Sequence, residues 1–331
     1  MKRHLLLSLL AVVAFTLPLR AQAKMSDDGK RAAGKALDWL ASKQNEDGSF
    51  SEGPYVHNTA ITGFAMLAFM SQGHLPNQGQ HGPEVAKAAR FLMGAKRQDG
   101  YIVGARGGNM YCHGMATLAL AELWGQTQND DELKKVVQDA TELIVRCQSP
   151  EGGWRYNPVN SQGADISVTI MQVMALRAAK NAGLNVPDKN MKDAISYIKR
   201  CYLDKQGGFT YQPNSGAPGF ARTAAGACVL FLSGEYKAQE IPKAVEYLKK
   251  HFDESQHYFY GHYYAAHAMH QVGGKDWDEW YQREEKFFLP QQSPDGSFTN
   301  TSRREVGPVY QTSIAVIILS VPANYLPIFQ R

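Results

Sequence analysis

Gln148-Ser149-Pro150-Glu151-Gly152-Gly153-Trp154 is the stretch that decides the fold, because it is one copy of a phrase that recurs along the chain. The phrase is a basic amphipathic segment, then Gln, then a turn with Gly, then an aromatic. It runs from Lys35-Ala36 and Trp39-Leu40 to Gln44 and Asp47-Gly48-Ser49-Phe50. It returns as Lys87-Ala88 and Phe91-Leu92 with Gln98-Asp99-Gly100-Tyr101, as Gln206-Gly207-Gly208-Phe209, and as Gln292-Ser293-Pro294-Asp295-Gly296-Ser297-Phe298. Another copy, Lys243-Ala244 to Tyr247-Leu248, degrades at Gln256-His257-Tyr258-Phe259. Gly48, Gly100, Gly152, Gly207 and Gly296 set a period of about 50 residues, the last repeat being shorter, and such a period marks a repeat architecture.

After each turn comes a second segment of different character: 56–72, 109–121, 166–176, 223–234, 261–274 and 309–320, none with a Lys, Arg, Asp or Glu. A helix that is apolar all round is buried on every side, whereas an amphipathic one faces water. Each of six repeats is therefore predicted to pair an outer helix with an inner one. An open stack of such pairs needs polar capping repeats. Here Val309–Ser320 is as apolar as the central segments and runs on into Pro322, Tyr325, Leu326, Pro327, Ile328 and Phe329, so the last repeat is expected to close on the first. Asp47, Asp99, Glu151 and Asp295 recur in the turns and are read as turn residues.

The chain has 331 residues and a formal charge of +4. Met1-Lys2-Arg3-His4, the uncharged Leu5–Leu19 and Ala21-Gln22-Ala23 read as a secretory signal peptide spanning residues 1–23, too short to cross a bilayer. Residues 24–331 are expected to form one all-α domain, exported to the periplasm or beyond. Lys2, Arg3 and Arg20 belong to the signal, so the remainder carries a charge near zero and nothing asks for nucleic acid or an anionic membrane. No later segment reads as a membrane span. Cys112, Cys147, Cys201 and Cys228 fit no zinc or redox spacing. Cys147 and Cys201 end equivalent helices in neighbouring repeats, so a disulfide between them and a set of free buried thiols both stay open.

The repeated phrase resembles the QW motif of squalene and oxidosqualene cyclases, most closely at Gln148–Trp154, and the same helix-pair ring is shared by protein prenyltransferase β subunits. The resemblance covers nearly all of residues 24–331 and implies an α6/α6 toroid of the terpenoid cyclase and prenyltransferase superfamily. It is specific for fold and weak for activity, since the repeated motif is scaffold. Class II terpene cyclases place an Asp-x-Asp-Asp-Thr motif at the start of an inner helix. Here that place reads Asp165-Ile166-Ser167-Val168-Thr169, with Ser167 at the acid position. The prenyltransferase zinc ligands have no counterpart near Phe259–His262 or Gln311-Thr312. Neither the cyclase acid nor the zinc triad is carried over.

If the inner helices all start at one end, their first turns line a cavity mouth and aim N–H groups at it. Asp165, His262 and Arg222 are the candidate catalytic residues there. His57, Asn58, Tyr111, His113, Ser167, Tyr263, Tyr264, His267 and Gln311 are the candidate ligand-binding residues. Below them Met66, Phe69, Met115, Met171, Met174 and Met269 are expected to line an apolar barrel. Asp165 also suits a helix N-cap. Arg222 suits a phosphate or carboxylate clamp, or an ion pair with Asp165. No metal site and no cofactor are expected, because none of these residues has metal-motif spacing.

Three functions remain open. The first is a toroid that binds an isoprenoid or other long apolar ligand or lipid, with or without a reaction. The second is a non-catalytic binding module for a peptide, glycan or protein. The third is a carbohydrate-active lyase or hydrolase, although a glycosidase needs two facing carboxylates and one candidate is in view.

Overall fold

The computed structural model describes residues 23–299 and 305–330; the expected signal, up to Gln22, lies outside the described residues. Twelve helices alternate along them. The outer set is α1 (Asp27–Lys43), α3 (Gly82–Gly94), α5 (Asp131–Arg146), α7 (Asp188–Arg200), α9 (Glu240–Lys250) and α11 (Gly274–Phe288). The inner set is α2 (Thr59–Met70), α4 (Met110–Thr127), α6 (Ile166–Asn181), α8 (Phe220–Leu232), α10 (Tyr258–Val272) and α12 (Pro308–Ser320). One two-stranded ribbon, β1 (Tyr202–Leu203) with β2 (Gly208–Phe209), decorates the fourth turn.

The division follows from patterning. Each outer helix buries one stripe, as α5 does with Leu133, Val136, Val137, Ala140, Leu143 and Ile144. All twelve residues of α2 are buried. Each inner helix packs on the next, α12 packs back on α2, and α1 lies against α12. The fold is an all-α, closed α6/α6 toroid.

The repeated phrase makes the joints of this ring. Gln148 Nε2 donates to the Gly152 carbonyl across its own turn (2.6 Å) and to the Asn190 carbonyl of the next outer helix (2.9 Å). Gln44 makes the same two bonds, to Gly48 and Glu84. Gln292 donates to Gly296 and to Ala32 on α1, so the sixth joint closes onto the first repeat. The turn Gly is needed twice over. Gly152 sits at φ 94°, and a Cβ there would lie 2.5 Å from the Asp193 carbonyl oxygen; Gly296 at φ 97° meets the Lys35 carbonyl at the same distance. Three of the four turn acids, Asp47, Asp99 and Asp295, each accept the N–H two residues on, at 3.0 Å, whereas Glu151 accepts from the Ala164 N–H at 3.2 Å.

Three readings change, and the open question of the cysteines closes. In repeat two the Gln position is Lys96, two residues before the expected Gln98, and the aromatic position is Ile102, one residue after the expected Tyr101, since Gly100 rather than Gln98 sets the frame. Two inner helices run past the apolar segments read from the sequence, so Glu122 lies on α4 and Arg177 on α6. All four cysteines are free and buried, so Cys147 and Cys201 do not pair. The apolar barrel is also not hollow at its methionines: Met66, Met115, Met171, Met174 and Met269 are completely buried in packed core.

Candidate functional site

The first turns of five of the six inner helices, all but α2, converge on a cleft of about 450 Å³. Tyr111 comes from α4, Ser167 from α6, Arg222 from α8, Tyr260 from α10 and Tyr310 from α12; Tyr156, Tyr211 and Glu305 complete the wall from loops.

A helix start leaves backbone N–H groups without partners. The sequence alone suggests that a ligand would take them, but the ring supplies acceptors for them itself. Asn58 Oδ1 accepts from Ala60 and Ile61, Asn109 Oδ1 from Tyr111 and Cys112, and Asp165 Oδ1 from Val168 (3.0 Å). The other three inner helices borrow a carboxylate from the loop before the next inner helix. Glu254 accepts from Phe220 at 3.4 Å, Glu305 from Phe259 (2.9 Å) and Tyr260 (3.4 Å), and Glu52 from Val309 at 2.5 Å. Burial raises the Glu52 carboxyl despite that bond.

A second rule sorts the histidines. The backbone N–H of the turn aromatic donates to a Thr hydroxyl one turn into the following inner helix: Phe50 to Thr62, Trp154 to Thr169, Phe209 to Thr223 and Phe298 to Thr312, all at 2.9–3.0 Å. In repeat two the acceptor is His113 Nδ1, bonded by Ile102 N–H at 3.0 Å, while its Nε2 donates to the Ala140 carbonyl at 3.2 Å. Burial pushes the His113 imidazole down to about 4, so it stays neutral. His262 stands one turn into α10, where four of the other repeats have Thr. Its Nδ1 is 2.8 Å from Glu284 Oε1 and its Nε2 is 3.0 Å from the Phe252 carbonyl, behind the ring wall. Glu284 also accepts from Trp280 Nε1. Both histidines are scaffold ties turned away from the cleft.

The remaining candidates separate by depth. Arg222, Tyr111 and Ser167 line the cleft. Asp165 lies just behind Ser167, which donates to it at 2.6 Å, and is fully buried. Asp165 caps α6, and the expected ion pair with Arg222 is not formed; the Arg222 guanidinium donates to the Ala217 carbonyl instead. Gln311 sits behind the loop and donates to the Glu305 carbonyl. Tyr263, Tyr264 and Phe64 fill the ring below the cleft, with Phe64 edge-on to Tyr263 (5.8 Å) and to Tyr310 (5.2 Å). His267 lies deeper, its ring stacked 3.3 Å from Phe329. His57 sits on the rim, where its Nδ1 is 2.7 Å from both Asp47 and Ser49. One nitrogen facing both partners cannot relay a proton between them. The same Asp–Ser bond recurs at Asp295 and Ser297 with no histidine present.

The tyrosines were largely missed. Tyr156 and Tyr211 each stand two residues after a turn aromatic, Trp154 and Phe209, so a repeat-by-repeat alignment carries the signal. Their hydroxyls meet at 3.2 Å. Tyr111 and Tyr260 lie ring to ring at 6.3 Å, with Tyr264 4.8 Å from Tyr260. Burial raises the phenols of Tyr111, Tyr211, Tyr260, Tyr264 and Tyr310, which all keep their protons at neutral pH. The phenolic oxygen of Tyr260 and the Nε of Arg222 are buried with no hydrogen-bond partner. Among the described residues no three His, Cys, Asp or Glu converge as metal ligands. No described helix is long and apolar enough to cross a membrane.

Solved structures with this ring serve different chemistries. The type II terpene cyclase MstE from Scytonema, in complex with geranylgeranyl dihydroxybenzoate, aligns with a TM-score of 0.65 at 15% identity, covering 90% of this chain and 98% of that one. An α-1,6-mannanase from Salegentibacter sp. in complex with α-1,6-mannotriose aligns with a TM-score of 0.68 at 8% identity over 90% and 100%. A cellobiose 2-epimerase from Bacillus thermoamylovorans aligns with a TM-score of 0.65 at 10% identity over 89% and 99%. Identities this low show the fold alone. No curated protein matches the sequence. The sequence itself matches the model of the prenyltransferase alpha-alpha toroid domain over residues 7–180 and 157–259, and with the helix-pair ring and its repeated joints this places the chain in the prenyltransferase alpha-alpha toroid family.

Proposed function

We propose that this toroid binds a small hydroxyl-bearing ligand, of the size of a short oligosaccharide, in the tyrosine-walled cleft and does not transform it. The observation that carries the reading is a cleft of about 450 Å³ with five tyrosines in its wall and two buried polar atoms without partners, Tyr260 Oη and Arg222 Nε. Clefts of this volume suit small molecules. Tyrosine offers an apolar ring face and a polar tip, which suits a sugar with one C–H face and hydroxyls at its edge. A hydrocarbon in the same place leaves both polar atoms unsatisfied, at about 1–3 kcal/mol each.

A long isoprenoid fits this geometry less well. The ring below the cleft is filled by Phe64, Tyr263 and Tyr264, so an extended chain has to displace that stack. Catalysis lacks its groups. Ser167 stands where the cyclase motif needs an acid, and a hydroxyl does not protonate an alkene. Glu305 is the carboxylate in the cleft wall, and its oxygens receive the Phe259 and Tyr260 N–H groups, so the facing pair of a glycosidase is absent among the described residues. Export through residues 1–23 would place this binding outside the cytoplasm, where soluble glycans occur. The mannotriose held by the mannanase supports only the point that such a ring accommodates a sugar.

Calorimetric titration with a panel of oligosaccharides, alongside mass spectrometry of lipids extracted from the purified protein, tests the reading. Saturable sugar binding and a lipid-free protein are expected. A tightly co-purifying polyprenyl lipid with no sugar binding would overturn it, as would turnover of any bound sugar.

A further inference from the structure

We infer that the cleft selects a sugar carrying an anionic oxygen group, held between Arg222 and Tyr260. This rests on the sugar-binding reading and narrows its substrate class. The argument is an account of hydrogen-bond capacity in the cleft. Ser167 donates its O–H to Asp165. Tyr156 and Tyr211 share one hydrogen bond with each other. Glu305 directs its carboxylate at the N–H groups of Phe259 and Tyr260. Two donors in the cleft wall remain unspent, the Nε–H of Arg222 and the O–H of Tyr260, both buried, while the unpartnered Oδ2 of Asp165 lies behind Ser167, outside the wall.

Of the two oppositely charged side chains Arg222 and Glu305 in the wall, Glu305 is bonded to backbone N–H groups, whereas Arg222 is left over. Arg222 forms no ion pair among the described residues, and its one bond is from Nη2 to the Ala217 carbonyl at 3.2 Å. A guanidinium whose Nε is buried, with a neutral carbonyl as its one acceptor, is left to be completed by an oxyanion. Its planar fork matches a carboxylate or sulfate better than a single hydroxyl. The helix starts around it do not compete for the anion, because Glu52, Glu254 and Glu305 already occupy three of them. Tyr260 adds a neutral donor that needs no proton transfer to act. Arg222 and Tyr260 thus supply a charged fork and a neutral hydroxyl to one oxyanion, while the neighbouring ring faces hold the sugar body.

The test is calorimetric titration of the full chain, without its signal, against matched probes. These are a neutral oligosaccharide series, uronate oligosaccharides, the methyl esters of those uronates, and sulfated oligosaccharides. At least tenfold tighter binding of an acidic probe over its neutral or esterified match is expected, with affinity falling as NaCl is raised. Whichever of the uronate or sulfated arms binds identifies the anion. Arg222→Lys is expected to lose about tenfold for the acidic probe and only a few-fold for the neutral one, so that the preference for the acid shrinks, and Tyr260→Phe a few-fold for both. Equal affinity for acid and ester overturns this inference and leaves the sugar-binding reading standing. Binding of no oligosaccharide in any arm overturns both. The ester comparison is made on the unaltered protein, so a variant that fails to fold does not affect it.

Discussion

The two ends of the ring differ in what closes them. At the mouth the inner helices begin, and six side-chain acceptors, three of their own and three borrowed from neighbouring repeats, take up the exposed N–H groups around an open, tyrosine-walled cleft. At the foot the chain's own tail fills the opening. Residues 321–330 fold back under the ring, burying Leu326, Ile328 and Phe329. The Phe329 ring stacks on His267, its carbonyl accepts from Gln271 at 2.6 Å, and the Ile328 N–H reaches Glu122 at 3.2 Å. Gly73, at the start of the linker after α2, packs under Tyr325, so that linker belongs to the same end. The comparison teaches that the ring is one-ended: its mouth stays an open cleft with unspent polar groups in the wall, whereas its foot is closed by the tail, with the unpartnered His267 ring sealed inside the core.

Deleting residues 321–331 breaks this comparison most severely. Three large buried side chains at about 1.5–3 kcal/mol each amount to a loss of roughly 5 kcal/mol or more. Urea unfolding should show a large fall in midpoint; an unchanged midpoint would mean that the tail is not core.

Glu122 comes next. Burial pushes its carboxyl from 4.5 up to about 8, only partly offset by the bond from Ile328 N–H. The folded state then holds a proton that the unfolded chain releases. The contribution of Glu122 to stability is therefore greatest below about pH 4.5, falls as pH rises toward about 8, and is level above that. Glu122→Gln keeps an acceptor for Ile328 and removes the proton. Its unfolding free energy should exceed that of the parent by a few kcal/mol at pH 8 and match it near pH 4. A parallel pH profile in the two proteins would sink the idea.

His113 tests the repeat rule on the wall between the two ends. His113→Leu leaves the Ile102 N–H and the Ala140 carbonyl without partners and should cost about 1–3 kcal/mol. His113→Thr restores the acceptor used in four other repeats and should cost less. Equal costs would mean that the tie is not what holds the turn. The opposite shift of this imidazole adds a fall in stability as pH drops from 6.5 toward 4, which either substitution removes.

The smallest effect belongs to the rim. His57 and Asp47 are each nearly half exposed, so His57→Ala should change stability by less than about 1 kcal/mol. It should leave ligand affinity at the mouth untouched. A lost affinity in thermal-shift titration would bring the rim into the site.

How much of this was legible depends on the length scale of the physics involved. The repeat of Gln, Gly and aromatic, together with inner segments free of charge, determined by themselves an all-helical ring of six pairs, because patterning and turn stereochemistry act over a few residues and recur six times. Asp165 as an N-cap and Asp47, Asp99 and Asp295 as turn acids were legible for the same reason. The site was not, because His, Tyr and Arg side chains mean different things according to which way a helix face turns. His113 and His262 share a repeat position with Thr62 and Thr169 and are ties, and Tyr263 and His267 are packing. Tyr156, Tyr211 and Tyr260 became a wall only when the ring closed. Neither the borrowed caps at Glu52, Glu254 and Glu305 nor the tail under Glu122 could be read locally, since each partner lies in another repeat. What the tertiary structure decided is which polar atoms had already found partners, and therefore which were left over at the mouth.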